Sequence, residues 1–171
     1  SEPADIAIKA SLTGQIVLST LHTNDAPSAI TRLIDMGIEP FLIASSVIMT
    51  AAQRLCRKIC PFCKEEYKVP EKVLERVAGD IKELKTGKHT FYRGKGCGRC
   101  SNTGYYGRMG TLETFVITDD IRDMIVKKVS ADQIKRYAVS KGMKTLRDNA
   151  LRKFVNGDTT LEEVLRITSV E

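Results

Sequence analysis

The chain contains no tryptophan, only two histidines, and aromatic residues at just 6% of its 171 positions. It has no run of about 18 apolar residues, so no segment reads as a membrane-spanning helix. Its first ten residues, SEPADIAIKA, lack the charged-then-apolar pattern of a secretory leader and open on Ser1 rather than Met, which suggests a chain cut from a longer one. Cysteine is sparse and odd in number, at five, which argues against a disulfide scaffold. Two pairs at CxxC spacing fit a metal in a reducing compartment better. There is no long basic run either. The net charge of +6 therefore reads first as a solvated surface, and only second as a surface for nucleic acid or anionic lipid.

What is present is the composition of an ordinary soluble protein, with 42% apolar and 28% charged residues. The length suffices for one compact domain or two small ones. Ala4 to Leu12 reads as a helix closed by Gly14. Gln15 to Leu21 reads as a strand whose centre, Ile16-Val17-Leu18, does not alternate and so should be buried on both faces, as in a parallel sheet. Asp25 should cap a helix over Ala26 to Met36, with Pro27 in its first turn and Gly37 past its end. Pro40 should open a further helix reaching about Arg57, with Phe41, Ser45, Ile48, Ala52 and Leu55 on one face.

A different segment follows, from Cys60 to Phe115. It holds a CxxC, a charged helix near Glu71 to Leu84, a Gly-rich second CxxC and a strand near Met109 to Val116. From Thr118 on the chain reads as helical, with capping boxes at Ser130/Gln133 and Thr159/Glu162. A strand buried on both faces needs paired neighbours, and no second strand of that character occurs. Gln15 to Leu21 is therefore expected to belong to a sheet whose other strands lie upstream of Ser1.

Two motifs carry chemistry. In Cys60-Pro-Phe-Cys63 and Cys97-Gly-Arg-Cys100, two residues between thiolates let a tight turn aim both sulfurs at one ion, and Pro61 and Gly98 suit such turns. Four thiolates match tetrahedral zinc in a structural role, since no position is left open for catalysis. Arg57, Lys58, Lys64, Lys95 and Arg99 stand near enough in sequence to offset the negative charge such a site carries. A redox disulfide pair or an iron–sulfur cluster is the competing reading. Cys56 reads as a core thiol.

The second motif is the polar end of IVLSTLHTND. Thr20, His22, Thr23 and Asn24 would stand beyond the carboxyl end of a strand and before a helix N-terminus, where α/β sheets bind anionic ligands. The alternative is a helix-capping loop with an exposed His. Gly87-Lys88-His89-Thr90 fails as a phosphate loop, because Lys82 stands where that motif needs Gly and His89 where it needs Ser or Thr. No apolar strand ends in a carboxylate able to hold Mg²⁺, so this chain alone is not expected to hydrolyse ATP.

The stretches TGQIVLSTLHTNDAPSAITRLIDMGIEPFLIASSV, AQRLCRKICPFCKEEY, GCGRCSNTGYYGRMGTLETF and TTLEEVLRIT resemble the type II secretion and type IV pilus assembly ATPases over essentially the whole chain. The resemblance implies an α/β fold: part of a RecA-like NTPase domain (one buried strand plus helices) over 1–57, a tetracysteine zinc subdomain over 58–117, and a helical end over 118–171. It also implies a cytoplasmic homo-hexamer, peripheral at the inner membrane, that docks on a platform protein and is powered by ATP and Mg²⁺. STLHTNDA matches the family's His box, which implies His22 near the terminal phosphate with Thr20, Thr23 and Asn24 around the nucleotide. Gln53-Arg54-Leu55 matches a segment that implies Arg54 near the nucleotide or a subunit interface. The four cysteines match a module that related retraction ATPases lack. Gln15 stands where the box often has a second His, and Cys56 replaces an aliphatic residue. Two other readings compete with this one. The first is a zinc-dependent nucleic-acid- or protein-binding module, with Tyr105, Tyr106 and Arg108 as a stacking patch. The second is a zinc-knuckle module similar to the cysteine repeats of certain chaperones, which carry more CxxC pairs.

Overall fold

The computed structural model describes residues 2–78 and 89–169. Helix α1 (Glu2–Leu12) is followed by α2 (Ser28–Asp35), α3 (Pro40–Ser46), β1 (Met49–Ile59), β2 (Lys64–Tyr67), α4 (Glu71–Ala78), β3 (Phe91–Gly94) and β4 (Tyr105–Val116). Helices α5 (Asp119–Val126), α6 (Ala131–Ser140), α7 (Leu146–Val155) and α8 (Leu161–Thr168) complete the order. Among the described residues β1 pairs with β4, and β2 pairs antiparallel with β3 in the register Lys64↔Gly94 to Tyr67↔Phe91.

The chain divides into two compact units, Ser1–Ala52 with Glu113–Lys144 and Gln53–Leu112 with Thr145–Glu171. Their boundaries differ from the three segments expected, falling inside β1 and β4 and ahead of α7. In the first unit α3 packs on α1 and α5, and α6 packs on α2 and α5. Ile30, Ile43, Ile125 and Ile134 are buried there. Helix α2 stops at Gly37, whose φ of +89° a side chain rarely adopts, while Gly37 and Ile38 donate to the carbonyls of Ile34 and Leu33.

In the second unit Cys56, Val77, Phe91, Ala150, Leu151, Phe154, Leu161, Val164 and Ile167 form one core. The Phe91 and Phe154 rings stack in it at 4.5 Å between centroids and 2° between planes. Cys56 is a core thiol, as expected, although it sits on a strand and not on a helix. Its Sγ lies 3.6 Å from both Met109 O and Thr111 Oγ1.

Three expectations are overturned. No strand covers Gln15 to Leu21, which carries no regular secondary structure, and Ile16 and Leu18 are 92% and 93% exposed. A strand exists through the hydrogen bonds of a partner, and no described residue supplies them; the α/β character comes from the β1–β4 and β2–β3 pairs. The helix expected to reach Arg57 ends at Ser46, and Met49–Ile59 is strand. Of the face proposed for that helix, Phe41, Ile48 and Leu55 are exposed, whereas Ala52, Cys56 and Ile59 are buried along the strand. The last helix is capped by Thr160 and not Thr159: Thr160 Oγ1 accepts from Glu163 N, while Thr159 Oγ1 donates to Arg57 O at 2.8 Å.

The rest follows the sequence closely. Ser130 caps α6 by accepting from Gln133 N, and β4 covers the expected 109–116 and starts earlier, at Tyr105. The charged helix appears as α4 up to Ala78, and its expected continuation to Leu84, like Gly87 and Lys88, lies outside the described residues.

Candidate metal centre and His box

The cysteines are gathered by two tight turns that lean on each other. The first follows β1, where Cys63 N donates to Cys60 O and Cys60 N donates to Gly104 O. The second is a single 3-10 turn over Gly98–Cys100, after which Ser101 and Asn102 take left-handed backbone angles and Asn102 N returns to Cys97 O. The turns are tied where Lys95 N donates to Cys63 O. Here glycine is obligatory: a Cβ on Gly94 would stand 2.1 Å from Gly104 O, and one on Gly104 would stand 2.4 Å from Gly94 O.

The four Sγ atoms of Cys60, Cys63, Cys97 and Cys100 all lie within 4.8 Å of one another, and all four thiols are free of disulfides. Cys60–Cys97 and Cys63–Cys100 are 3.9 Å apart and Cys97–Cys100 is 3.7 Å. A tetrahedron of thiolates around zinc at its usual bond length has edges of about 3.8 Å. The donor set and its spacing therefore fit a tetrahedral metal ion.

Electrostatics differ between the sulfurs. Burial pushes the Cys63 thiol up to about 12. Burial acts on Cys100 as well, but the N–H groups of Cys97 and Gly104 point at its Sγ from 3.2 and 3.3 Å and bring it down to about 6. Backbone donors thus favour the thiolate, the form that binds metal, at Cys100. At the rim, the Arg99 guanidinium lies over the Phe62 ring at 4.1 Å and Phe62 meets Tyr106 edge to face at 6.1 Å. Of the sequence's stacking patch, Tyr106 and Arg108 are exposed. Tyr105 instead packs locally, its hydroxyl 2.7 Å from Thr160 Oγ1 and its ring under Arg57 at 4.2 Å.

The same unit holds an ion-pair cluster, one buried carboxylate between two half-exposed arginines, that the sequence did not announce. The Glu163 carboxylate accepts from Arg57 N, Nε and Nη2 at 2.8–3.0 Å and from Arg166 Nε and Nη2 at 2.8 and 2.6 Å. Burial alone would raise its pKa, but the hydrogen bonds from Arg166 and Arg57 outweigh it and hold the carboxyl at about 2.

The His box lies in the first unit. Thr20, His22 and Asn24 are exposed and Thr23 is half-buried, in a stretch without regular structure that leads into α2. Order sets in at Asp25, which is buried. Asp25 Oδ1 accepts from Ser28 N at 2.9 Å, the capping bond expected of it, although the helix spans Ser28–Asp35 after Pro27 and not Ala26 to Met36, and Asp25 Oδ2 accepts from Lys135 Nζ at 2.8 Å. Burial works against that charge, but the hydrogen bonds from Lys135 and Ser28 prevail and lower the pKa below the usual carboxylate value. The next peptide, Ala26, donates its N–H to Glu113 Oε1 at 2.8 Å and accepts from Thr50 Oγ1 at 2.7 Å. Arg54 is half-buried on β1, within the second unit. Sequence reasoning missed Thr50, Glu113 and Lys135. One signal was legible for Glu113: strand alternation sets Thr111, Glu113 and Phe115 on the buried side of β4.

Comparison with known proteins places this geometry. A family model described as Type II/IV secretion system protein matches residues 1–166. The type IV pilus assembly ATPase PilB of Thermus thermophilus is 49% identical over 98% of this chain and 19% of its own length. The type II secretion system protein E of Pseudomonas aeruginosa is 47% identical over 99% of this chain and 33% of its own. The chain thus spans a third or less of these relatives. Among solved structures, the pilus retraction motor PilT with bound ADP superposes with a TM-score of 0.62 at 18% identity, over 98% of this chain and 36% of that one. The Legionella pneumophila ATPase DotB superposes with a TM-score of 0.61 at 17% identity, over the whole of this chain and 36% of that one. With a family match across nearly its entire length, this chain belongs to the type II/IV secretion system proteins.

Proposed function

We propose that this chain is the carboxyl-terminal part of the motor domain of a hexameric ATPase that drives pilus or pseudopilus assembly. The observation that carries the reading is the identity of 49% and 47%, over nearly all of the chain, to relatives named as a type IV pilus assembly ATPase and a type II secretion system protein. Three roles run along the chain. Residues 1–57 belong to a RecA-like nucleotide-binding core and bring the His box, 58–117 form a structural zinc module, and 118–171 form the helical end.

His22 senses the terminal phosphate of ATP, Thr20, Thr23 and Asn24 line the nucleotide beside it, and Arg54 serves the nucleotide or a subunit contact. The phosphate loop and the Mg²⁺-binding carboxylate come from elsewhere in the longer protein, so the segment alone is inactive. Cys60, Cys63, Cys97 and Cys100 hold zinc, supported by sulfur spacings that suit a tetrahedron. The motor works at the cytoplasmic face of the inner membrane against a platform protein. Among the described residues no helix is long and apolar enough to cross a membrane.

The test is kinetic, on the full-length ATPase. His22→Ala is expected to lower turnover by about tenfold or more while nucleotide affinity changes little, as for a group acting chiefly in the transition state. Unchanged turnover removes His22 from the mechanism.

A further inference from the structure

We propose that Glu113 and Thr50 are positioning residues for the His box, acting through the Ala26 peptide; the inference rests on the nucleotide-sensing reading of His22. The side chains expected at the nucleotide, from Thr20 to Asn24, belong to an irregular and largely exposed stretch. Nothing in the local backbone pattern of that stretch determines where His22 points. Immediately after it the chain is gripped from several sides. Ala26 is 1% exposed, and both of its backbone polar groups are taken by side chains from distant strands: its N–H by Glu113 of β4 and its carbonyl by Thr50 of β1.

Helix capping does not account for this grip, because Asp25 already caps α2 at Ser28 N. Glu113 is fully buried, and burying a carboxylate is costly unless it is well satisfied. What the acidic side chain adds is a long, charge-assisted reach from a rigid strand to a loop 87 residues earlier in sequence. Lys135, from α6, holds the preceding residue through Asp25. The loop carrying His22 is thus fastened three residues downstream to α6 and four residues downstream to β1 and β4. Such fastening limits how far the imidazole can travel before nucleotide arrives, which favours a group acting on a terminal phosphate.

The experiment uses the full-length ATPase, with His22→Ala measured beside every variant. Glu113→Ala is expected to lower kcat between about tenfold and about a hundredfold with the KM for ATP little changed. Glu113→Gln, which keeps an oxygen able to accept from Ala26 N, should restore most of the turnover. In the double variant with His22→Ala, Glu113→Ala should add almost no further loss. Thr50→Val removes only the hydroxyl donor and leaves the packing intact. It should lower kcat by a smaller factor at the same KM, and it decides the matter if Glu113→Ala does not fold. Impaired His22→Ala beside normal Glu113→Ala and Thr50→Val overturns this inference alone, as does a double variant whose losses multiply. Normal turnover of His22→Ala brings down the sensing reading and this inference together.

Discussion

Individual side chains here do work that their residue type alone does not foretell. Glu163 is the fourth residue of TLEEVLRI, a position that reads as an ordinary acidic first turn, yet it is 1% exposed and collects donors from Arg57 and Arg166. Its carboxyl is held at about 2 in the folded chain, below the usual 4.5. A depressed carboxyl stabilises the fold fully above its unfolded pKa and loses that contribution as pH falls through the folded one. Acid titration of the chain should therefore show a loss of stability between about pH 4.5 and pH 2 that Glu163→Gln abolishes. At pH 7 the same substitution should cost about 2 kcal/mol in denaturant unfolding. A variant as stable as the parent at pH 7 would show that Arg57 and Arg166 find equivalent partners without it. The cysteines behave likewise. Cys97→Ser should lose bound metal and stability together, measured by metal analysis and thermal unfolding on one sample. A variant that is metal-free and as stable as the parent would contradict a structural role.

At the level of elements, helix ends were the most legible features and strands the least. Caps at Asp25 and Ser130 and the stop at Gly37 follow from side-chain acceptors and a positive φ, which are local causes. Gln15 to Leu21 and Met49 to Ile59 were misread in opposite directions. An apolar run declares only that it wants burial, and pairing depends on which strand lies alongside. Val47 to Thr50 contains three β-branched residues beside apolar neighbours at helical spacing, and the pairing of β1 with β4 outweighs that spacing. The packing of α7 against β3 gives a second prediction at this scale. Phe154 is 1% exposed and stacks on Phe91, so Phe154→Ala should destabilise the second unit by about 3–5 kcal/mol. A loss below about 1 kcal/mol would mean that the core closes over the gap.

For the whole molecule, the two units should respond differently to metal. Cys60, Lys95 and Asn102 donate backbone hydrogen bonds within the cysteine turns, whereas Ile38 and Val47 donate within the first unit. Chelation should speed amide exchange at the first three well before the last two. Simultaneous opening at all five sites would show that the metal governs the whole chain. The sequence by itself determined the family, the cysteine donor set and most helix ends. These rest on residue identity and on contacts within a few positions, which are written along the chain. Tertiary structure decided that Ile16-Val17-Leu18 stays unpaired among the described residues, that Glu113 and Thr50 hold Ala26, and that Arg57 and Arg166 converge on Glu163. Each of those depends on which distant atoms meet, and hydrogen bonds to buried charges form only where the fold brings donor and acceptor within about 3 Å.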